Sequence, residues 1–349
     1  MASKPDAKKH SRSFQDIVFG FGPEPGTPLG PIPQKAEAPS DGQEEVVEEC
    51  TVTHRYVDND GAKIHFVECG KRGAHLVLLI HGFPEFWYSW LYQFKPLSDA
   101  GYHVVAVDCR GYGWSAKPAA VREYSMSKVT SDLLRVVDTV APGRRCTIVG
   151  HDWGGRVLWG FLTLHAQRVL QAVVLNAPHP VTMAKALMSN PRQLQKSWYI
   201  GFFQMARLAE HHLSKQRFAA IRSMFKGVRK YPEEVVQRHV DAMAIPGALT
   251  GALNYYRAAF GQGLWPAPPV VRVPVKVIWG EQDFSMEKDI ATPPAELVPN
   301  AQVTFVKKAS HWVMWDDPET VSSEMVAFIK EGLRKVAEKE DQAPSFSKL

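Results

Sequence analysis

The hydrophobic pattern changes period several times along the 349 residues, and the changes predict alternating strands and helices. Thr51–Val57 and Lys63–Val67 are β-rich runs on either side of Asn59-Asp60-Gly61, a tight-turn sequence, and read as a β-hairpin. Leu76–Ile80, Val104–Val107, Cys146–Val149 and Ala172–Leu175 are continuous apolar runs. A strand can be apolar at every position only when both of its faces are covered, as in a parallel sheet flanked by helices. Helical periodicity follows these runs at about 85–98, 127–140 and 153–166. Strands resume at Val275–Trp279 and Gln302–Val306, and an amphipathic helix over about Pro318–Lys335 closes the pattern. The expected architecture is a doubly wound α/β sheet, mostly parallel and twisted, with helices on both faces.

Two stretches depart from this rhythm. Residues 180–265 contain helical patterns at about 192–208, 214–227, 232–242 and 247–259 and no strand candidate. An all-helical insertion between two core strands is expected to lie over the C-terminal edge of the sheet as a lid. Residues 1–45 combine a basic start, a Pro/Gly-rich run and an acidic run, a composition with too little apolar surface to order itself. The predicted organisation is therefore an extension over 1–45, a core in two parts over 46–179 and 266–338, the insertion over 180–265, and a polar tail over 339–349.

Composition narrows the class. Apolar residues at 45% and aromatics at 11% suffice for a large core. The net charge of +5, from 41 basic and 36 acidic residues without a long basic run, gives no reason to expect nucleic acid as a partner. Cys50, Cys69, Cys109 and Cys146 have no metal-like spacing and are expected as reduced thiols, which suits an intracellular compartment. No apolar run is long enough to span a bilayer or to form a signal peptide, so a soluble protein is expected. The chain ends in Ser347-Lys348-Leu349, the tripeptide read by the peroxisomal import receptor, and a peroxisomal location is the expectation, with the cytoplasm as the alternative.

The candidate chemistry centres on Thr147-Ile148-Val149-Gly150-His151-Asp152-Trp153-Gly154-Gly155, a β-branched run, a glycine-flanked turn and the start of an apolar helix. In a nucleophile elbow of this kind the central side chain is lifted above the sheet edge at a helix N-terminus. The usual occupant is Ser; a carboxylate here would attack saturated rather than acyl carbon. Taken alone, the window equally allows Asp152 to be a helix cap. Partners for a nucleophile are available. His311 follows the last predicted strand in Lys308-Ala309-Ser310-His311-Trp312 and is the candidate general base. Of the two acids in Trp279-Gly280-Glu281-Gln282-Asp283, Asp283 is favoured as its orienting carboxylate, and the preceding strand end carries Asn176, an amide, which removes the competing location. An oxyanion hole needs two backbone N–H groups, one after the nucleophile and one from the loop after an earlier strand; Trp153 and Phe83 supply them. His151 reads as structural, and Ser115 in Gly111-Tyr-Gly-Trp-Ser as part of a loop.

Together, His81-Gly-Phe-Pro-Glu85, Trp87-Tyr-Ser-Trp90, Asp108-Cys-Arg-Gly-Tyr-Gly113, Gly150-His-Asp-Trp-Gly-Gly155 and Asn254-Tyr-Tyr-Arg257 resemble the soluble-type epoxide hydrolases of the α/β-hydrolase superfamily. The resemblance runs from about residue 52 to 336. It implies the α/β-hydrolase fold with a helical lid, and catalysis by Asp152, Asp283 and His311 without metal or organic cofactor. It also implies two lid tyrosines that bind the epoxide oxygen. Asn254-Tyr255-Tyr256-Arg257 places one at Tyr256, and Ser197-Trp198-Tyr199 fits the other at Tyr199. Neighbouring helical residues diverge by about 100°, so Tyr255 is expected to face elsewhere. A substrate cavity formed by Phe83, Trp153 and Trp312 is expected around them, for a small hydrophobic epoxide and water.

Three alternatives share parts of this pattern. A haloalkane dehalogenase would hold its halide with Asn or Trp donors, and position 83 is Phe. A fluoroacetate-type dehalogenase tends to carry Arg where Trp153 stands. A non-catalytic ligand-binding member of the fold would have no need for all five catalytic positions.

Overall fold

The computed structural model describes residues 30–34, 37–225, 227–261 and 269–342. Among the described residues nine strands form one sheet: β1 (Glu44–Val47), β2 (Cys50–Asn59), β3 (Ala62–Gly70), β4 (Leu76–Ile80), β5 (His103–Val107), β6 (Cys146–His151), β7 (Val169–Leu175), β8 (Val275–Gly280) and β9 (Ala301–Val306). Their spatial order is β1-β2-β3-β5-β4-β6-β7-β8-β9. The pairs from β1 to β5 are antiparallel, and every pair from β5–β4 outward to β9 is parallel. The hairpin closes where expected: Asn59 pairs with Ala62 across Asp60 and Gly61, both at positive φ (51° and 80°). That geometry matches the right-handed twist of the strands, and Asp-Gly tolerates it well.

Every residue of β4 and β5 is buried. Helix α1 (Leu91–Asp99) and the closing helix Pro318–Asp341 pack together on one face, and α2 (Met126–Val140) and α3 (Trp153–Leu164) on the other. These contacts account for the uninterrupted apolar runs, since no face of the central strands is left to solvent. The helix expected at 85–98 begins instead as a 3₁₀ turn, Trp87–Trp90, with the Trp87 amide held by Asp108 Oδ1 at 2.9 Å.

Among the described residues between β7 and β8 stand six helices: α4 (Pro180–Ser189), α5 (Pro191–Lys196), α6 (Trp198–Phe203), α7 (Leu208–Met224), α8 (Glu233–Ala244) and α9 (Ala248–Gly261). α4 is not among the expected helices; it starts with Pro180 at its first turn and is capped by His179 Nδ1 rather than by Ser, Thr or Asp. The run expected at 192–208 is cut at Ser197, between α5 and α6, and again after Phe203. Asn190 Oδ1 caps α5, and Arg207, at φ 65°, ends the segment and starts α7 through a capping box with Glu210. α7 itself is two short helices, because Lys215 is extended and Gln216, Arg217 and Phe218 are left-handed.

Most of the Pro/Gly-rich extension, and all of Ser347-Lys348-Leu349, lie outside the described residues. The end of the acidic run is ordered as the edge strand β1, where Glu45 contacts His54 at 3.3 Å and Arg238 at 2.6 Å. All four cysteines are free thiols and buried. Among the described residues no helix is long and apolar enough to cross a membrane.

Candidate active site

β6 ends at His151 and α3 begins at Trp153, which leaves Asp152 alone to reverse the chain. It does so at φ 50° and ψ −119°, a strained backbone that costs a non-glycine residue roughly 1–3 kcal/mol and must be held by its surroundings. The Asp152 amide donates to the Leu175 carbonyl at 3.2 Å, and its own carbonyl accepts from the Arg156 amide at 3.0 Å. Side chains at the flanking positions would not fit: a Cβ on Gly150 would stand 2.5 Å from the Gly154 carbonyl oxygen, and one on Gly154 would overlap the Ile80 carbonyl. Although Asp152 occupies the N-cap position, its carboxylate makes no capping hydrogen bond. Oδ1 accepts instead from the Phe83 amide at 2.9 Å. The side chain is thus aimed across the sheet edge and does not cap its helix.

The loop after β9 brings His311 to the same point. Its Nε2 lies 3.5 Å from Asp152 Oδ2 and its Nδ1 lies 2.8 Å from Asp283 Oδ2. Asp283, after β8, is fixed on all sides. Asn176 Nδ2 donates to Oδ2 at 2.7 Å, and Oδ1 accepts from the amides of Ser285 and Met286 and the Ser285 hydroxyl at 2.7, 2.9 and 2.9 Å. Glu281 turns away to Lys288. Asn176, the amide at the end of β7, is thus a direct support for the acid on the next strand.

His151 is a brace between loops. Nδ1 faces Glu85 Oε2 at 2.8 Å and Nε2 donates to the His311 carbonyl at 2.8 Å. Glu85 Oε2 also accepts from the Gly82 amide at 2.6 Å, so the turn presenting the Phe83 amide is tied to the His311 loop. Ser115 is equally structural: its hydroxyl donates to the Asp108 carbonyl at 2.6 Å and accepts from the His65 amide at 2.9 Å.

Two phenols face Asp152 from the insertion. Tyr199 on α6 and Tyr256 on α9 pack edge to face with ring centres 6.0 Å apart, and Trp153 packs against Tyr256 at 4.7 Å. Tyr255 faces elsewhere, its hydroxyl donating to the Arg110 carbonyl at 2.9 Å. Arg257 locks the pair in place: it meets Glu210 with two parallel bonds of 2.7 and 3.0 Å and donates to the Phe203 carbonyl at 3.0 Å.

The sequence profile of the alpha/beta hydrolase fold matches residues 75–318. The chain belongs to the α/β-hydrolase fold family. The hydrolase is 35% identical over 295 residues to mouse "Epoxide hydrolase 4", covering 81% of each chain. It is 34% identical to the Bacillus subtilis "AB hydrolase superfamily protein YfhM", over 79% of this chain and 97% of that one. Among solved structures, a Bacillus megaterium epoxide hydrolase in complex with an inhibitor superposes with a TM-score of 0.72 at 28% identity, covering 79% of this chain and 100% of that one.

The charges of the hydrolase's site are strongly coupled. Burial alone would lower the pKa of His311, but the Asp283 carboxylate and the hydrogen bonds to Asp152 and Asp283 outweigh it and push the imidazole up to about 10. Burial would raise Asp283; the His311 charge and the bonds from His311, Asn176 and Ser285 hold it down at about 2. Burial and the Asp152 charge raise both Tyr199 and Tyr256 above the ordinary phenol range, so each keeps its proton at neutral pH. Among the described residues no group of three or more His, Cys, Asp or Glu is arranged to hold a metal ion.

A cavity of about 320 Å³ opens between the sheet edge and the insertion, with Asp152, Trp153, Tyr199 and Tyr256 in its wall. Two expected wall residues are not part of it. The Trp312 indole donates to the Met224 carbonyl at 2.9 Å and lies against Phe225 and Trp315, in an aromatic layer beneath the site. The Phe83 ring packs edge-on against Phe203 and Tyr256, so only its amide serves the site. Met286 and Arg156 line the cavity in addition. Arg156 lies in the first turn of α3, directly after the elbow.

Proposed function

We propose that this hydrolase converts epoxides to vicinal diols through a covalent ester on Asp152. The observation that carries the reading is a carboxylate, free of its helix, facing two protonated phenols across one cavity. Relatives named epoxide hydrolases support it. In the first step the phenols of Tyr199 and Tyr256 hydrogen-bond the ring oxygen. Asp152 Oδ1 is held by the Phe83 amide and becomes the ester carbonyl, so Oδ2 attacks. The C–O bond of the ring breaks, and the alkoxide takes a phenolic proton.

Esterification removes the Asp152 charge, one of the two carboxylates that keep His311 protonated. His311 then gives up its proton, which restores the phenol, and the neutral imidazole can deprotonate water. The hydroxide attacks the ester carbonyl carbon. The oxyanion rests on the amides of Phe83 and Trp153, the latter one of the first-turn N–H groups left without an intrahelical acceptor. Collapse releases the diol, which takes its proton from the attacking hydroxyl, and leaves Asp152 ionised beside a protonated His311. Asp283 orients the imidazole throughout. The helices from 180 to 261 act as the lid, and its apolar wall selects a hydrophobic substrate.

The test is the His311→Gln variant incubated with styrene oxide. Intact-mass spectrometry should find the protein heavier by one epoxide, because the ester forms and cannot be hydrolysed. An unchanged mass, while the wild type makes diol from the same epoxide, refutes the two-step route. Halide release from a haloalkane with no diol from any epoxide would instead assign a dehalogenase.

A further inference from the structure

The insertion differs from the rest of the chain in charge. Residues 180–261 hold 12 basic and 4 acidic residues, whereas the remainder holds 29 basic and 32 acidic. Residues 180–208, from α4 to the start of α7, hold four basic residues and no Asp or Glu. Of these, Lys196 pairs with Glu287 at 3.1 Å, and Lys185, Arg192 and Arg207 are exposed. The same stretch exposes apolar side chains: Met188 is 75% exposed and Leu194 57%, and at the end of α9 Phe260 is 73% exposed. Helix α4 is apolar along most of its length, yet of its ten residues only Ala186 is buried. Val181, Lys185 and Met188, spaced by four and three residues, share one side of α4, and all three are exposed. Val181 also lines the cavity, with Ala184 and Leu187. The solvent-facing stripe of α4 therefore borders the cavity at Val181. Phe260 is likewise both a wall residue and mostly exposed, so the two residues mark the cavity mouth.

We infer that this face docks on a lipid bilayer with an anionic surface, through α4, α5 and the end of α9, with the cavity mouth turned to the membrane. Exposed apolar side chains beside basic residues are the combination that binds bilayer interfaces: the apolar groups enter the headgroup boundary and the cations meet anionic headgroups. Continuity of the patch with the mouth gives an apolar substrate a path from lipid to Asp152 that does not cross water. A second copy of this chain is a poorer occupant, because like-charged faces repel. An acidic protein would answer the charge, but it gives no reason for apolar side chains on separate helices around a substrate entrance. The inference goes beyond the epoxide hydrolase reading, and docking itself does not depend on the reaction.

The experiment floats the full-length protein with vesicles of phosphatidylcholine, alone or with about 30% phosphatidylserine, at about 50 and about 500 mM salt. It compares the wild type with Lys185→Gln/Arg192→Gln and Met188→Gln/Leu194→Gln. All four side chains are exposed and none lines the cavity, so thermal unfolding should match the wild type and show that the variants are folded. The wild type should float with the anionic vesicles at low salt, and bind about tenfold more weakly or worse at high salt or without phosphatidylserine. Loss of the two basic residues should weaken binding by roughly 30-fold, and loss of the two apolar side chains by roughly 10- to 100-fold. A wild type that stays soluble with both vesicles, or variants that float like the wild type, overturns the inference. Capture by polyglutamate that is as tight as by vesicles and indifferent to Met188→Gln/Leu194→Gln overturns it in favour of an acidic protein. A wild-type dimer in sedimentation that Met188→Gln/Leu194→Gln dissociates, without vesicle binding, overturns it in favour of a second copy. Flotation is read without substrate, so a protein that floats as expected yet makes no diol fails only the epoxide reading.

Discussion

The proposed sequence of proton transfers depends on His311 becoming a base only after Asp152 has been esterified. Asp152→Asn isolates that step, since it removes the carboxylate charge while keeping the size of the side chain, and Asn tolerates the positive φ of the elbow better than most residues. The charge in question lies 3.5 Å from Nε2. At that distance and an effective dielectric constant of about 20, one charge pair is worth at most about 4.7 kcal/mol, or about 3.5 pH units of titration midpoint. Opposite charges at such range usually move a midpoint by about one to three units. In the wild type His311 is held near 10; in Asp152→Asn it should titrate about one to three units lower, toward neutrality. The remaining elevation belongs to Asp283. The assay is NMR titration of the imidazole nitrogens in both proteins, with intact mass confirming that the introduced amide has not hydrolysed back to the acid. A midpoint that stays put or rises would mean that the charge of Asp152 does not hold the proton, and the timing of base formation would need another origin.

Two other outcomes test the site and the tail. Tyr256→Phe and Tyr199→Phe should each lower kcat for epoxide opening by about 10- to 100-fold, and the double variant by about 10²- to 10⁴-fold, the range for losing acid catalysis outright; a double variant with wild-type kcat removes the phenols from the mechanism. We also propose that the Ser347-Lys348-Leu349 tail directs import into peroxisomes. A fluorescent reporter ending in residues 339–349 should collect in peroxisomes, and a reporter that stays diffuse in the cytosol refutes the address.

What could be read from the sequence, and what could not, follows from the range of the interactions. The strands of the parallel sheet are legible because burial on both faces writes itself as runs such as Leu76–Ile80, and the elbow because the crowding at Gly150 and Gly154 admits no side chain. β1 is hidden by its composition: Glu44-Glu45-Val46-Val47 belongs to an acidic run, and only pairing with β2 and the contacts of Glu45 to His54 and Arg238 make it a strand. α4 is hidden because part of its apolar side, Val181, Ala184 and Leu187, lines the cavity instead of a packed core. The breaks in the insertion depend on single residues, Asn190, Arg207 and Gln216–Phe218, that no periodicity marks.

The site divides along the same line. Asp152, Asp283 and His311 each follow a strand, and strand ends of a parallel sheet converge on one edge, so chain order and strand order suffice to bring them together. The cavity wall is set by packing between the insertion and that edge, which strand order does not specify. Trp312 illustrates the difference: adjacent to His311 in the chain, it points into the layer of Phe225 and Trp315, and its indole bond to Met224 turns it away from the cavity. Arg156, four residues from Asp152, is part of the cavity wall. Residues at strand ends are therefore legible in the sequence, and residues of the cavity wall are not.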